Sequence, residues 1–272
     1  MQKIFEQLTT AFRKNGGTLN QMQFEYIINH SDILDEDIEI AFILLQASGY
    51  PIETKDTSFI LKPYFTPYQD DRYCIIDIET NGSKPSNSQV IEIGAVMFQD
   101  GKIIDRFETF VECAYLPEYI TKITGIEPID LKDAPTQKQA LTSLKEFMDD
   151  SIFVAHNVSF DYGFLNASFE RFGLGNIGNL KMCTIDLAKR TFESQKYGLA
   201  YLIESLELDA SSHHRAYSDA LCATQVMQKS FQNLPSYIKT TDDLLQFTKS
   251  SMKQRRENKQ KDINHKRTNG CN

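Results

Sequence analysis

The sequence predicts an α/β protein in which a mixed sheet flanked by helices follows a small helical, winged-helix-like domain. Two observations predict this arrangement. Residues 72–234 alternate short apolar strands with amphipathic helices, and the turn at residues 99–102 joins two strands as an antiparallel hairpin. Residues 1–68 instead have the pattern of three helices followed by a hairpin. The chain has 272 residues, enough for one large domain or two smaller ones.

The first domain, residues 1–68, begins with a helix whose apolar residues share one face and which ends at Gly16 and Gly17. A second helix is expected over 20–29, a third from Asp35 to about Leu45, and two strands over 52–55 and 59–62. In a winged helix the third helix often reads DNA. Here that helix starts with three consecutive acidic residues, which favours docking to a protein over binding to DNA.

The second domain, residues 72–234, contains the remaining regular elements. Strands are expected over 73–79, 90–98, 103–111 and 152–155, and helices over 117–124, 136–148 and 160–172, with two or three more between 185 and 231. Residues 235–272 are expected to be a basic, disordered tail, because their apolar content falls away after residues 242–247.

Composition excludes several classes of protein. Hydrophobic residues make up 41% of the chain and charged residues 24%, as in soluble globular proteins. No stretch approaches the ~20 apolar residues of a membrane span, so no membrane partner is expected. The 5 cysteines are scattered without CxxC spacing, which argues against a disulfide framework or zinc ribbon and predicts a cytoplasmic setting. A net charge of -8 argues against a non-specific coat for DNA.

Two carboxylates, Asp77 and Glu79, come where the first strand of the second domain ends. Residues i and i+2 of a strand point to the same face, so these side chains project together. Carboxylates this close repel each other unless a cation lies between them, and oxygen ligands suit Mg²⁺ or Mn²⁺. Taken alone, the pair is more often two solvated acids than a metal site.

Two further carboxylates, Asp161 and Asp219, each fall in the first turn of a predicted helix. A capping acid is the simpler interpretation of either one alone. His156 precedes the first of these helices and is, by itself, typical of a core or turn histidine. His214 precedes the second helix beside His213, and by itself is typical of a surface histidine.

Together, the four carboxylates meet the requirements of two-metal phosphoryl chemistry. A metal pair about 4 Å apart can hold a scissile phosphate, stabilise the leaving oxygen and lower the pKa of an attacking water. A histidine with an ordinary pKa of about 6.5 suits the general base for that water. The sequence contains no G-x-S-x-G, no Walker loop and no G-x-G-x-x-G after a strand, so no competing chemistry is indicated.

Three motifs in chain order carry a family resemblance. D-x-E-T-x-G is met at residues 77–82, H-N-x-x-F-D at 156–161 and H-x-A-x-x-D at 214–219. Over about residues 72–230 the chain therefore resembles the DnaQ-like (DEDDh) 3′→5′ exonucleases, and within them most closely the epsilon proofreading subunits of bacterial DNA polymerase III. Position 81 is Asn where many relatives carry Thr, which bears on subfamily rather than on the metal ligands.

The resemblance implies an RNase H-like fold with a mixed five-stranded sheet and two Mg²⁺ or Mn²⁺ ions. Asp77, Glu79 and Asp219 would bind one ion. Asp77 would bridge to the second ion, and Asp161 would hold that ion directly or through water. His214 would be the general base.

The resemblance also implies residues that meet the substrate. Thr80 and Gly82 would let the backbone approach the terminal nucleotide. Asn157 and His156 would support the substrate or the edge of the sheet beside it.

The implied activity is metal-dependent release of nucleoside monophosphates from single-stranded DNA or frayed 3′ ends, as in replication proofreading beside a DNA polymerase catalytic subunit. One alternative is an RNA-directed exonuclease of the same superfamily. Another is a non-catalytic adaptor that only binds a polymerase. An adaptor does not need all five of the catalytic positions, which are intact here.

Overall fold

The computed structural model describes residues 2–31, 37–209 and 215–251. Its N-terminal unit has the order helix, strand, two helices, two strands and a short helical turn, so the three expected helices and the hairpin are present. The elements are α1 (Gln2–Lys14), β1 (Thr18–Asn20), α2 (Gln21–Asn29), α3 (Ile38–Ala47), β2 (Ile52–Lys55), β3 (Ser58–Leu61) and the single turn α4 (Lys62–Phe65). The strands form an antiparallel sheet in the order β1-β3-β2. The sequence did not predict β1, because three residues are too few to show a strand pattern.

The second unit alternates strands and helices. Its elements are β4 (Tyr73–Thr80), β5 (Val90–Gln99), β6 (Lys102–Phe110), α5 (Glu118–Thr124), α6 (Pro128–Leu131), α7 (Gln137–Met148), β7 (Ile152–Ala155), α8 (Val158–Arg171), β8 (Lys181–Cys183), α9 (Thr184–Thr191), α10 (Leu199–Ser205), α11 (Ala216–Phe231) and α12 (Thr241–Lys249). The five strands have the order β6-β5-β4-β7-β8. β4 is antiparallel to β5 and parallel to β7, which confirms the mixed sheet.

Both faces of β4 are covered by helices, which explains why the strand begins as a continuous apolar run. Cys74, Ile76 and Ile78 lie in the core formed with α7 and α8. Tyr73 and Ile75 lie in the core on the opposite face, with α9, α11 and α12. Strand alternation puts Asp77 and Glu79 on this second face, toward α11.

Helix α12 corrects the expected tail. The sequence assigned residues 235–272 to a disordered tail, and this is wrong for the residues of α12. A capping box between Thr240 and Asp243 starts the helix, and Leu244, Leu245 and Phe247 are buried in the core beside the sheet. Residues 252–272, which contain most of the basic residues of the expected tail, lie outside the described part of the chain.

The two units contact each other directly through α1 and the end of α3. Arg13 donates from Nε and Nη2 to Oδ1 of Asp242, at 2.8 and 2.6 Å, and Asp242 is buried. The backbone N–H of Gly178 donates to the carbonyl of Ser48 at 2.6 Å. Lys62 pairs with Asp150 across the same boundary. Among the described residues, no helix is long and apolar enough to span a membrane.

Candidate active site

Three carboxylates meet at the carboxyl end of β4. Asp77 and Glu79 come from β4, and Asp219 comes from the first turn of α11. One oxygen of each lies within 4.8 Å of the others. The side chains are half-buried, so a cation has a route to them from solvent. The structure thus brings together three of the four carboxylates that the sequence predicted to share a site.

The close approach of α11 to the sheet depends on a glycine. In the β4–β5 register, Gly94 lies opposite Asp77 and Glu92 lies opposite Glu79. A Cβ at Gly94 would fall 2.1 Å from the backbone nitrogen of Tyr217 and 2.2 Å from the carbonyl carbon of Ala216. Real Cβ atoms do not approach backbone atoms this closely, so only glycine lets the start of α11 rest on β5.

Asp161 approaches the site from the other side, on the first turn of α8. It is 3% exposed, and its carboxyl accepts backbone N–H groups from Ile78 and from itself. Ile78 lies between Asp77 and Glu79 on β4, so the carboxyl of Asp161 lies beside them, although it is not one of the three that meet within 4.8 Å. It is also close enough to Asp77 and Glu79 to raise their pKa values by repulsion.

Burial and mutual repulsion hold protons on these groups in the metal-free protein. Burial, followed by repulsion from Asp161, Asp219 and the neighbouring glutamates, raises the pKa of Asp77 well above its usual range. The same causes, burial first, raise the pKa of Glu79 to about 8. Burial raises the pKa of Asp161 to about 7, against the opposing effect of its two backbone hydrogen bonds. A divalent cation would relieve this repulsion, and oxygen-only donors are the ligands that such hard cations take.

Glu92 and Arg215 form a charged contact that the sequence did not reveal as part of the site. Glu92 is 1% exposed and accepts from Nε and Nη2 of Arg215 at 2.9 and 2.7 Å, and from the backbone N–H of Ala216 at 3.1 Å. Arg215 is the N-cap of α11 and also lies over the ring of Phe110. The contact therefore anchors the end of α11 that carries Asp219. An acidic residue inside the apolar run of β5 was the available signal.

Of the two motif histidines, His156 and His214, the structure describes only His156. His214, the expected general base, and His213 lie outside the described residues. His156 was expected at the substrate, but both ring nitrogens are engaged within the protein. Nε2 donates to the carbonyl of Tyr197 at 2.9 Å, so Nδ1 accepts from the hydroxyl of Thr184 at 2.8 Å. Burial lowers the pKa of His156 to about 4, so the ring is neutral and links β7 to the segments that carry Thr184 and Tyr197.

The loop after β4 is held by its own polar groups. The hydroxyl of Thr80 donates to the carbonyl of Gly82 at 2.9 Å. Asn81 accepts from the backbone N–H of Gln89 at 2.8 Å and donates to the carbonyl of Tyr115 at 3.1 Å. The departure from the family pattern at position 81 thus links this loop to the segment before α5.

Asn157, another expected substrate residue, turns the chain between β7 and α8. Its φ of 76° is left-handed, a conformation that asparagine tolerates better than most residues. The turn places Asp161 on the first turn of α8. Its side chain makes no capping hydrogen bond to the helix.

Exposed apolar side chains lie on α5, on the segment before it and on the first turn of α8. Tyr119 and Ile123 share the outer face of α5, and Tyr115 lies on the segment tied to Asn81. Phe160 is partly exposed on the first turn of α8, next to Asp161. Aromatic and apolar surfaces of this kind are platforms on which the bases of single strands stack.

The profile of the RNase_T exonuclease family matches residues 74–227, more than half of the chain. A DNA polymerase III PolC-type protein of Staphylococcus haemolyticus is 37% identical over 194 residues. The PolC-type protein of Staphylococcus aureus is 36% identical over 194 residues. Each match covers 70% of this chain but only 13% of the relative, so the chain spans a small part of these relatives' length.

Solved structures share the fold of the second unit. A structure of exonuclease I has a TM-score of 0.55 at 17% identity and covers 61% of this chain and 42% of that one. The zinc-bound complex of E. coli exonuclease I with single-stranded DNA has a TM-score of 0.56 at 18% identity, over 62% and 42%. Exonuclease X with 5′-overhanging duplex DNA has a TM-score of 0.51 at 24% identity, over 65% and 99%. At these identities the likeness establishes the fold alone.

Proposed function

We propose that this chain, which belongs to the RNase_T exonuclease family, is a 3′→5′ exonuclease that removes nucleoside monophosphates from single-stranded or frayed 3′ ends of DNA. The family depends on divalent metal ions. The observation that carries the proposal is the meeting of Asp77, Glu79 and Asp219 within 4.8 Å, with the carboxyl of Asp161 beside them. Buried carboxylates that repel one another in this way are typical of a site built for cations.

We assign the metal ligands residue by residue. Asp77, Glu79 and Asp219 would hold one Mg²⁺ or Mn²⁺ ion, and Asp161 with Asp77 would hold a second. Ions held there would supply charge neutralisation at the scissile phosphate and activation of the attacking water. The Glu92–Arg215 contact keeps Asp219 opposite Asp77, which preserves the spacing of the donor oxygens.

His214 is the general base in this proposal. It takes a proton from the water that attacks the terminal phosphodiester. The oxygen of that water bonds to phosphorus as the P–O3′ bond breaks, and O3′ takes a proton from solvent. The last nucleotide therefore leaves as a 5′-monophosphate and the shortened strand keeps a 3′-hydroxyl. Tyr115, Tyr119 and Phe160 support the proposal as surfaces against which the terminal bases stack.

Replication proofreading beside a DNA polymerase III catalytic subunit, in the cytoplasm, is the setting we propose. The relatives named DNA polymerase III PolC-type, at 36–37% identity, support it. The same relatives favour DNA over RNA as the substrate.

The test is incubation of the full chain with a 5′-labelled single-stranded DNA in Mg²⁺, Mn²⁺ or chelator, beside the Asp77→Ala and His214→Ala proteins. A metal-dependent ladder that shortens from the 3′ end, absent for Asp77→Ala and slowed for His214→Ala, is expected. A 3′-blocked oligonucleotide controls for the direction of digestion.

A matched RNA oligonucleotide in the same assay tests the substrate. Faster digestion of RNA would replace the DNA proposal with the RNA-directed alternative. Absence of digestion on both substrates would contradict the catalytic assignment and favour the polymerase-binding adaptor.

A further inference from the structure

Helix α3 exposes an apolar surface that nothing in the described structure covers. Of its ten residues only Glu39 is charged, yet only Ala41 and Leu45 are fully buried. Ile40, Ile43 and Leu44 are between 41% and 60% exposed. They are three and four residues apart, so they form one stripe along the helix, named here the α3 stripe.

A second apolar surface lies on the preceding helix. Met22 and Tyr26 are one turn apart on α2 and are 76% and 64% exposed. They border a shallow groove of about 320 Å³ between α1 and α2, together with Ala11, Leu19 and Ile27. Single exposed apolar side chains scattered over a surface are ordinary. Several of them on two neighbouring helices indicate a surface that binds a partner.

The charge around these helices selects the kind of partner. Between Asn15 and Thr54 the sequence contains no Lys or Arg. The same stretch contains seven acidic residues: Glu25, Asp32, Asp35, Glu36, Asp37, Glu39 and Glu53. Asp37 and Glu39 are exposed at the start of α3, beside the stripe. Among the described residues, α2, α3 and the N-cap of α3 carry Glu25, Asp37 and Glu39 and no Lys or Arg. A surface of this charge repels phosphate groups, so nucleic acid and anionic lipid are disfavoured, and a second copy would bring like charges together.

We propose that the α3 stripe docks a cationic amphipathic helix of a partner protein. The apolar face of that helix would cover Ile40, Ile43 and Leu44, and its Lys or Arg residues would face Asp37 and Glu39 at the start of α3. Apolar residues three and four positions apart on one helix are the pattern through which amphipathic helices bind apolar surfaces. The proposal is independent of the proposed nuclease activity.

A partner bound at α3 would be held in a set position relative to the active site. Ser48 is the C-cap of α3, and its carbonyl oxygen accepts the backbone N–H of Gly178 at 2.6 Å. Gly178 lies three residues before β8 begins at Lys181. A Cβ at Gly178 would meet the same carbonyl oxygen at 2.9 Å, so the two units approach through backbone atoms. The Arg13–Asp242 ion pair joins the units at a second point.

The test is fluorescence anisotropy of the full chain with a labelled synthetic helix made of Leu and Lys, its apolar residues confined to one face. A Leu/Glu helix of the same pattern and a scrambled Leu/Lys peptide are the controls. Ile40→Ser/Ile43→Ser/Leu44→Ser is the test variant, and Ile43→Ser alone guards against misfolding of the triple variant. Ile103→Ser/Ile104→Ser, equally exposed on β6, is the matched control.

We expect the wild-type chain to bind the Leu/Lys helix. The triple variant should lower the affinity at least tenfold, and the β6 variant should leave the affinity unchanged. Asp37→Lys/Glu39→Lys should weaken it and make it less sensitive to salt. Amide hydrogen exchange should slow over residues 38–47 on binding. Nuclease activity should be retained in the triple variant, which would separate loss of docking from loss of fold.

Several results would overturn the proposal. One is equal binding by wild type and both stripe variants. Another is that binding slows amide exchange elsewhere in the chain but not in α2 or α3. Preferential binding of the Leu/Glu helix, of anionic vesicles or of duplex DNA would identify another class of partner. Self-association that the Ile43→Ser protein loses would identify a second copy as the occupant.

Discussion

At the scale of single residues, the carboxylates at the end of β4 bind protons more tightly in the folded chain than in the unfolded chain. Burial raises the pKa of Glu79 to about 8 and that of Asp161 to about 7, far above the values of about 4 for free carboxyl groups. The folded state therefore holds more protons than the unfolded state between about pH 4 and 8, and stability falls as pH rises through that window.

We predict that the metal-free protein loses stability from pH 5.5 to 8.5, and that Mg²⁺ restores more stability at pH 8.5 than at pH 5.5. Asp77→Asn removes one charge from the cluster, so its loss of stability should be shallower and its gain from Mg²⁺ smaller. Chemical unfolding with chelator or Mg²⁺ measures both effects. Asp105→Asn, on exposed β6, is the control for the charge change. Identical pH slopes for Asp77→Asn and Asp105→Asn would contradict the assignment.

Glu92→Gln tests the contact that anchors α11. A glutamine cannot accept all three N–H groups that Glu92 accepts, and it leaves Arg215 without its charge partner. We expect kcat to fall about 10–100-fold with little change in KM, because Asp219 is misplaced while the substrate surface is intact. Breaking a buried charge pair should also cost about 2–3 kcal/mol of unfolding free energy.

Glu108→Gln is the matched control for that measurement. Glu108 lies 4.0 Å from the same Arg215 but is half-exposed, so its loss should change kcat less than about twofold. Steady-state kinetics on one oligonucleotide compare the two variants. A change in KM alone for Glu92→Gln would mean that the contact serves substrate binding instead of positioning.

At the scale of elements, the site depends on how closely one helix approaches one strand. The two carboxylates of β4 face α11 because of strand alternation, and α11 reaches them because Gly94 has no side chain. Helix α8 brings Asp161 from the opposite side after the left-handed turn at Asn157. Each of these carboxylates therefore lies at the end of a regular element, where the backbone is held by hydrogen bonds.

Gly94→Ala should displace α11 from β5, because the new Cβ would meet backbone atoms that cannot rotate away. A shift of about 1 Å at Asp219 should reduce the rate about 100-fold, with a loss of about 1–3 kcal/mol in unfolding free energy. Gly163→Ala is the control, since a Cβ there meets nothing within 4 Å in the helix that carries Asp161. It should be neutral or slightly stabilising. Nuclease rates and urea unfolding compare the two; equal rates would contradict the role of Gly94.

At the scale of the whole molecule, α1 and α12 join the N-terminal unit to the sheet unit. Asp242 is 2% exposed and its ionic partner is Arg13, which donates to it twice. These residues are 229 positions apart in the chain, so their contact closes the molecule on itself.

Arg13→Ala should lower the free energy of unfolding by about 2–3 kcal/mol, because it leaves a buried carboxylate without its cation. Combining it with Asp242→Asn should recover part of the loss. Arg106→Ala, an exposed arginine on β6, should change stability by less than about 0.5 kcal/mol. Denaturant unfolding of the wild type, the two single variants, the double variant and the Arg106→Ala control measures this. Additive losses for the Arg13 and Asp242 variants would show that the pair does not interact energetically.

The sequence by itself determined the family, the mixed sheet and the carboxylates Asp77, Glu79 and Asp219 that meet at one site. These follow from local patterns: strand alternation, helix periodicity and three ordered motifs. It also determined most element positions, since long periodic segments such as β5 and α7 carry a strong signal.

Only the tertiary structure decided which residues position the carboxylates without being among them. Glu92 and Arg215 are 123 positions apart, and Gly94 meets Tyr217 only after the sheet and α11 pack. The packing of α12 was not predicted for the same reason. The amphipathic pattern at residues 242–247 is short, and the helix is stabilised by burial against the sheet and by Arg13. The two internal hydrogen bonds of His156 were likewise not predicted, because they form with Thr184 and Tyr197, which are far along the chain. Such roles depend on which distant groups become neighbours, and local periodicity carries no record of that.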